Sequence, residues 1–318
     1  MRKLFLACAA LALARGAWAC DICAVYTAME AKEARPGIFA GVFEQYTDFG
    51  TLQSEGDEVE NEADQYLHSS ITQAYVGYQW TRRVGVQLNL PYIDRRFRRP
   101  EHDGIETGSV SGLGDVSVIA HARLYEMLTE TSFVTWGVTA GVELPTGDSD
   151  RLGEEAEGDH GDDHEDHESA SGVHGHDLAL GSGSVDGILG TSFGWRHQRW
   201  LAAASVNHTL RTEGDFEYRY ADEVTWDAEA GYYALLGHEQ SLSVAVRFSG
   251  EKKGEDTAGG EKADDTAIDA VYVGPELAYS RGPKLYADLA IEWPLRQENS
   301  GLQVVPDSRV RAGVTWRF

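Results

Sequence analysis

The last stretch of the chain alternates residue by residue. Val310, Ala312, Val314, Trp316 and Phe318 fall on one face, and Arg309, Arg311, Gly313, Thr315 and Arg317 on the other. A period of two places these sets on opposite sides of a β-sheet. The same split recurs upstream. Leu285, Ala287, Leu289, Ile291, Trp293 and Leu295 oppose Tyr286, Asp288, Glu292 and Arg296, and Val224, Trp226, Ala228, Ala230 and Tyr232 oppose Thr225, Asp227, Glu229 and Gly231. Twelve such strands are predicted, near residues 37–47, 68–80, 83–94, 112–124, 131–144, 183–195, 198–209, 222–235, 239–250, 267–280, 284–296 and 307–318.

A soluble sandwich alternates too, so the connections decide the class. Short links around Thr81-Arg82, Glu126–Glu130, Arg196-His197, Gly237-His238 and Arg281-Gly282-Pro283 take turns with long ones at 48–67, 95–111, 145–182, 210–221, 251–266 and 297–306. Long loops on one side, short turns on the other and an even strand count describe an all-β, up-and-down antiparallel barrel of the outer-membrane kind. Trp80, Tyr92, Trp195, Trp200, Tyr279, Trp293 and Trp316 sit near strand ends, where interfacial girdles belong. The terminal Phe318 on its alternating strand resembles the C-terminal signal of bacterial outer-membrane proteins. The predicted location is therefore the outer membrane of a Gram-negative bacterium, with lipid as the surrounding partner.

Composition narrows the partners. The 318 residues carry 27 basic and 52 acidic side chains, a net charge of −25, which repels nucleic acid and anionic lipid surfaces. Residues 1–19 read as an export signal: Arg2 and Lys3, an apolar run from Leu4, and an Ala17-Trp18-Ala19 cleavage site. Residues 20–36 then form a short periplasmic segment, and 37–318 the barrel. Cys20 and Cys23 bracket Asp21-Ile22. In an oxidising compartment they are expected to form a small disulfide, with a metal or redox pair and a lipidated Cys20 as alternatives. Ala24 removes the signature of covalent haem attachment.

Three motifs lie mid-chain: Ser111-Gly112-Leu113-Gly114-Asp115-Val116, then Val142-Glu143-Leu144-Pro145-Thr146-Gly147-Asp148, then Gly181-Ser182-Gly183-Ser184-Val185-Asp186. In this order and spacing the sequence resembles the family of outer-membrane transporters named for the meta-pathway of phenol degradation. The resemblance implies a channel or uptake protein and no catalytic residues. Two departures, the Cys20/Cys23 pair and a histidine-rich loop, argue against an aromatic substrate. Physically the motifs are strand ends. Asp115, Glu143 and Asp186 are expected to face the lumen near the outer mouth, with Asp227, Glu229, Asp288, Glu292, Arg309 and Arg311 lining the pore below. They either solvate the wall or form a constriction that favours cations.

The loop at 145–182 holds twelve carboxylates, one arginine (Arg151) and five of the eleven histidines. His160, His164, His167, His174 and His176 with Asp162, Asp163 and Asp166 are the candidate ligands. Neutral imidazole beside carboxylates suits Zn²⁺, Cu²⁺ or Ni²⁺, bound loosely by a flexible loop with nothing apolar to pack it. The alternative is a solvated acidic loop whose histidines are incidental. The charge run at 251–266 shows no site geometry. No motif calls for a cofactor, and no enzyme is expected: Ser117 and His121 share a strand face but lie roughly 13 Å apart.

Twelve strands fall between filled eight-stranded barrels and open sixteen-stranded ones, so a narrow conduit for small solutes, divalent cations included, is expected. The alternatives are a non-conducting barrel that displays a metal-binding loop and a barrel that partners a redox protein.

Overall fold

The computed structural model describes residues 36–101, 104–157, 171–237 and 239–318. The signal segment, Cys20 and Cys23, and the loop residues His160, Asp162, Asp163, His164, Asp166 and His167 lie outside the described residues.

Twelve strands close into one antiparallel barrel. They are β1 (Gly37–Ser54), β2 (Tyr66–Gln79), β3 (Val84–Glu101), β4 (in two pieces, Gly104–Leu113 and Val116–Leu128), β5 (Ser132–Leu144), β6 (Asp186–His197), β7 (Trp200–Leu210), β8 (Glu223–Leu236), β9 (Gln240–Lys253), β10 (Ile268–Arg281), β11 (Leu285–Asn299) and β12 (Leu302–Arg317). Each strand pairs with its sequence neighbours, and β12 returns to β1 with Val42 opposite Val314 and Ala40 opposite Trp316. Closure leaves no free edge, which lets a sheet exist in hydrocarbon.

The alternation read from sequence sets the two faces. On β1, Ile38, Val42 and Tyr46 are exposed while Phe39, Phe43, Gln45 and Thr47 are buried. Around the barrel the exposed face is apolar (Val76, Leu90, Val118, Val142, Val206, Val244), bounded by Tyr46, Tyr92 and Trp293 toward the long loops and by Tyr78, Trp80, Trp200 and Trp316 toward the short turns. The inner face is mostly polar. This split makes a direct prediction. Leu289 faces outward and Asp288 inward, so Leu289→Arg should cost about 2–4 kcal/mol near the midplane while Asp288→Asn leaves the lipid face intact. Heat-modifiable mobility after refolding into lipid vesicles should show the Arg variant losing folded protein. Equal yields would mean the faces are assigned backwards.

Two of the expected long loops are corrected. Residues 95–111 and 297–306 are mainly strand: β3 runs to Glu101 and β4 starts at Gly104, while β11 ends at Asn299 and β12 starts at Leu302. The run of arginines at 95–99 hid the period of two, because both faces are charged there. Arg96 and Arg98 point outward, and Phe97 and Arg99 are buried inside.

A bulge also changes which residues face in. Between Asp48 and Thr51 the β1–β12 register shifts around Pro306, a residue that strands admit chiefly at edges and bulges. Above the bulge Leu52 and Val304 turn into the barrel.

Candidate functional site

The mouth of the barrel is occupied by its own chain. Residues 171–182 descend into it. Val173 and Leu178 are completely buried in a cluster with Leu52, Leu67, Phe97 and Val304 from the walls of β1, β2, β3 and β12. Backbone and side chains reinforce the contact. Val304 N–H donates to Gly172 O at 2.8 Å, Gly172 N–H to Gln65 Oε1 at 2.7 Å, and Arg95 Nη1 to Ala179 O at 2.7 Å. A second cluster joins Leu152 and Ala179 to Tyr218. The expectation of a loop with nothing apolar to pack it is thus corrected for residues 171–182. Its apolar side chains are sparse in sequence, but Val173 and Leu178 join the wall cluster, and Leu152 and Ala179 the cluster with Tyr218.

That anchor is Asp115. Its Oδ1 accepts the Thr146 and Gly147 N–H groups at 2.9 and 2.8 Å, and its Oδ2 accepts Ser182 N–H and Oγ–H at 2.7 and 2.8 Å. The three sequence motifs meet here. Asp115 lies in the break between the two pieces of β4, and its one carboxylate binds both ends of the loop. Gly147 and Gly181 touch so closely that a Cβ on Gly181 would lie 2.6 Å from the Gly147 carbonyl carbon, which explains glycine at both places. Leu180 N–H also donates to Asp148 O at 2.9 Å.

Beside the anchor, Glu143 and Asp186 stand directly opposite each other on β5 and β6. Like charges across a ladder destabilise it. Arg211 resolves the conflict, with Nη1 at 2.8 Å from Asp186 and 3.3 Å from Glu143. Thr212 N–H and Ser184 Oγ–H complete the Asp186 shell at 2.7 and 3.0 Å.

Farther round the wall the other inward residues pair in the same way. Arg247 reaches Asp227 at 2.7 Å, Glu276 at 2.9 Å and Glu292 at 3.7 Å, and Arg311 contacts Glu292 at 3.1 Å. Arg309 meets Glu251 at 2.5 Å and lies over the Tyr272 ring at 3.7 Å. Asp288 is buried on the same side of the sheet and Glu229 is half-buried. Of the carboxylates named from sequence, Glu143, Asp186, Asp227 and Glu292 are therefore buried in the interior, each beside an arginine. On the facing wall His121 bonds Gln79 at 2.7 Å and Ser117 accepts from Asn89 at 2.9 Å.

A cluster of titratable groups lies on the inward loop itself. His174, His176 and Asp177 each bring a ligand atom within 4.8 Å of the others. Two more carboxylates approach from elsewhere. Asp265 Oδ2 is 2.9 Å from His174 Nε2, and Glu155 Oε1 is 3.1 Å from His176 Nδ1. Burial disfavours a charged His176 ring, but Asp177 and Glu155 outweigh it and hold its pKa up at about 9. Burial would likewise raise the Asp265 pKa, yet the bond from His174 brings it down to about 2. Glu155 and Asp265 escaped the sequence reading. Glu155 is one of many acids in its loop, and Asp265 belongs to the charge run at 251–266, more than eighty residues from His174. Tyr220 OH donates to the His176 carbonyl at 3.1 Å, so the 210–221 connection joins the same assembly.

No protein-family model matches the sequence, and no curated protein matches it. Among solved structures, an outer-membrane channel from Pseudomonas putida F1 superposes with a TM-score of 0.62 at 16% identity, covering 91% of this chain and 98% of that one. The β domain of a Bordetella autotransporter gives 0.44 at 11% identity over 90% and 100% of the two chains, and the NanC porin 0.40 at 10% over 88% and 100%. We draw nothing from those two. The chain is a closed twelve-stranded antiparallel β-barrel of the outer-membrane class. Its continuous apolar belt and aromatic borders are made for the outer membrane of a Gram-negative bacterium.

Proposed function

We propose that this barrel is a narrow outer-membrane conduit for small polar solutes, and that the inward segment 171–182 is its gate. The observation that carries the reading is a polar-walled barrel whose mouth is closed by a loop held at one carboxylate. The likeness in fold to a channel of P. putida supports it. So does the resemblance to transporters of the phenol meta-pathway, because the motifs that carry it converge on Asp115.

The energetics suit a gate. Burying Val173 and Leu178 contributes about 1.5–3 kcal/mol each. Ordering the backbone of a segment this long costs about 1–2 kcal/mol per residue. The hydrogen bonds to Gly172, Ala179 and Ser182 add to that burial, and the ordering cost opposes both, so opening trades contacts for chain freedom. Solutes with hydroxyl, amide or charged groups suit a wall of paired arginines and carboxylates better than hydrocarbons do. Divalent cations belong among them, drawn by the acidic outer loops. Liposome swelling with a size series of sugars and amino acids tests the reading: uptake should fall steeply with size. Vesicles that admit none of the solutes, even after the loop is removed, would eliminate it.

A second reading has two observations in its favour. The filled mouth and the histidine cluster also suit a barrel that holds metal at the surface and conducts nothing. A barrel sheathing a redox protein is not favoured, since the segment 171–182 occupies the mouth that such a partner would have to enter.

A further inference from the structure

The histidines of the inward loop are held as metal ligands are held. His174 Nε2 is fixed by Asp265 at 2.9 Å and His176 Nδ1 by Glu155 at 3.1 Å. When an ion binds, a charged ring gives up one proton: the nitrogen bound to a carboxylate keeps its N–H and the other nitrogen of each ring supplies the lone pair. Those free nitrogens point at one residue. His174 Nδ1 lies 3.8 Å from Asp177 Oδ2, and His176 Nε2 lies 3.5 Å from Asp177 Oδ1. Metal bonds of about 2.0–2.1 Å in a tetrahedron separate neighbouring ligand atoms by roughly 3.4 Å. The two imidazole–carboxylate spacings need to close by only a few tenths of an ångström, and all three ligand atoms already lie within 4.8 Å of one another.

A second observation is independent of the spacing. His174 Nδ1 is buried and has no hydrogen-bond partner. A buried acceptor without a partner is costly, and an ion at this position would satisfy it. The His174 and His176 rings stack nearly parallel, 5.4 Å between centroids, so both can serve one centre.

We propose that His174 Nδ1, His176 Nε2 and the Asp177 carboxylate form a site for one first-row divalent transition ion, of the Zn²⁺, Co²⁺, Ni²⁺ or Cu²⁺ kind. Asp265 and Glu155 are its positioning residues. Two imidazoles and a carboxylate select these ions over Ca²⁺ and Mg²⁺, which prefer all-oxygen shells. Three protein ligands leave a fourth position for water. The occupied site would clasp three connections of the barrel's outer end together, because its ligands and their supports come from residues 153–157, 174–177 and 264–266. The site stands whether or not the barrel conducts.

The test uses the full-length chain refolded in detergent, with folding verified by heat-modifiable mobility. Co²⁺ is titrated and followed by its visible absorption, with Zn²⁺ as competitor. One equivalent should bind, and changing His160, His164 and His167 together to Gln should leave that equivalent in place. His174→Gln with His176→Gln should abolish it. Asp265→Asn keeps all three ligands and should weaken binding by roughly 10–100-fold. A ligand swap guards against a variant that merely unfolds the loop. In a chain whose native cysteines are changed to Ser, His174→Cys should add a thiolate-to-Co²⁺ charge-transfer band in the near ultraviolet. The proposal is overturned if wild type binds no Co²⁺, if the double Gln variant binds as wild type does, or if the Cys variant binds without the new band.

Discussion

Replacing Arg247 with Met should be among the most damaging single changes in the barrel wall. Asp227, Glu276 and Glu292 all converge on this guanidinium from strands β8, β10 and β11. All four side chains are withdrawn from water, so removing the cation leaves three carboxylates facing one another without their shared partner. Breaking a buried ion pair by deleting one member costs about 3–5 kcal/mol, much of it the penalty of the stranded charge. The Arg247→Met variant should unfold at clearly lower urea concentration than wild type, with loss of heat-modifiable mobility as the readout. A compensating change distinguishes stranded charge from lost packing. Adding Glu276→Gln removes one of the stranded carboxylates and should recover part of the loss. Wild-type stability in the single variant would show that the interior is wet enough to solvate these groups.

The second large effect is expected at Asp115. Alanine there leaves four donors at the loop ends, Thr146 N–H, Gly147 N–H, Ser182 N–H and Ser182 Oγ–H, without their acceptor. Hydrogen bonds to a charged group are worth about 1.5–3 kcal/mol each, with partial recovery when water reaches the freed donors. These bonds hold both ends of the loop at one point, so their loss frees the loop at its anchor. Asp115→Ala should therefore leave the barrel folded while the 145–182 connection becomes readily cleaved by added protease, and the ionic current should rise several-fold. Asp115→Asn keeps one oxygen and should fall between. An alanine variant with wild-type protease resistance would mean that the apolar cluster of Val173 and Leu178 holds the loop unaided.

The barrel itself was legible in the sequence because its physics is local. Lipid on one side and polar interior on the other write a period of two into every strand, as at Val310 to Phe318. The pattern faltered where a strand leaves the membrane. Arg95, Arg96, Arg98 and Arg99 charge both faces of β3, and Pro306 carries a bulge that reverses the parity of Leu52 and Val304. The site was legible only in part. His174 and His176 stood out by type, yet nothing in sequence separates them from the other loop histidines. What separates them is packing beside Val173 and Leu178, and two carboxylates that barrel closure delivers from distant loops. Asp115 was read as a wall residue, since a carboxylate that accepts backbone N–H groups from 31 and 67 positions away leaves no local pattern.

The central claim is that the inward loop closes a conduit, and its truncation tests this most directly. Asp148 O and Leu180 N are already 2.9 Å apart, so residues 149–179 can be replaced by a short glycine link without moving β5 or β6. Planar-bilayer recordings of the wild type and the truncated chain should give small, intermittent currents for the first and a steady conductance several-fold larger for the second. Equal currents from two equally folded proteins would contradict the account.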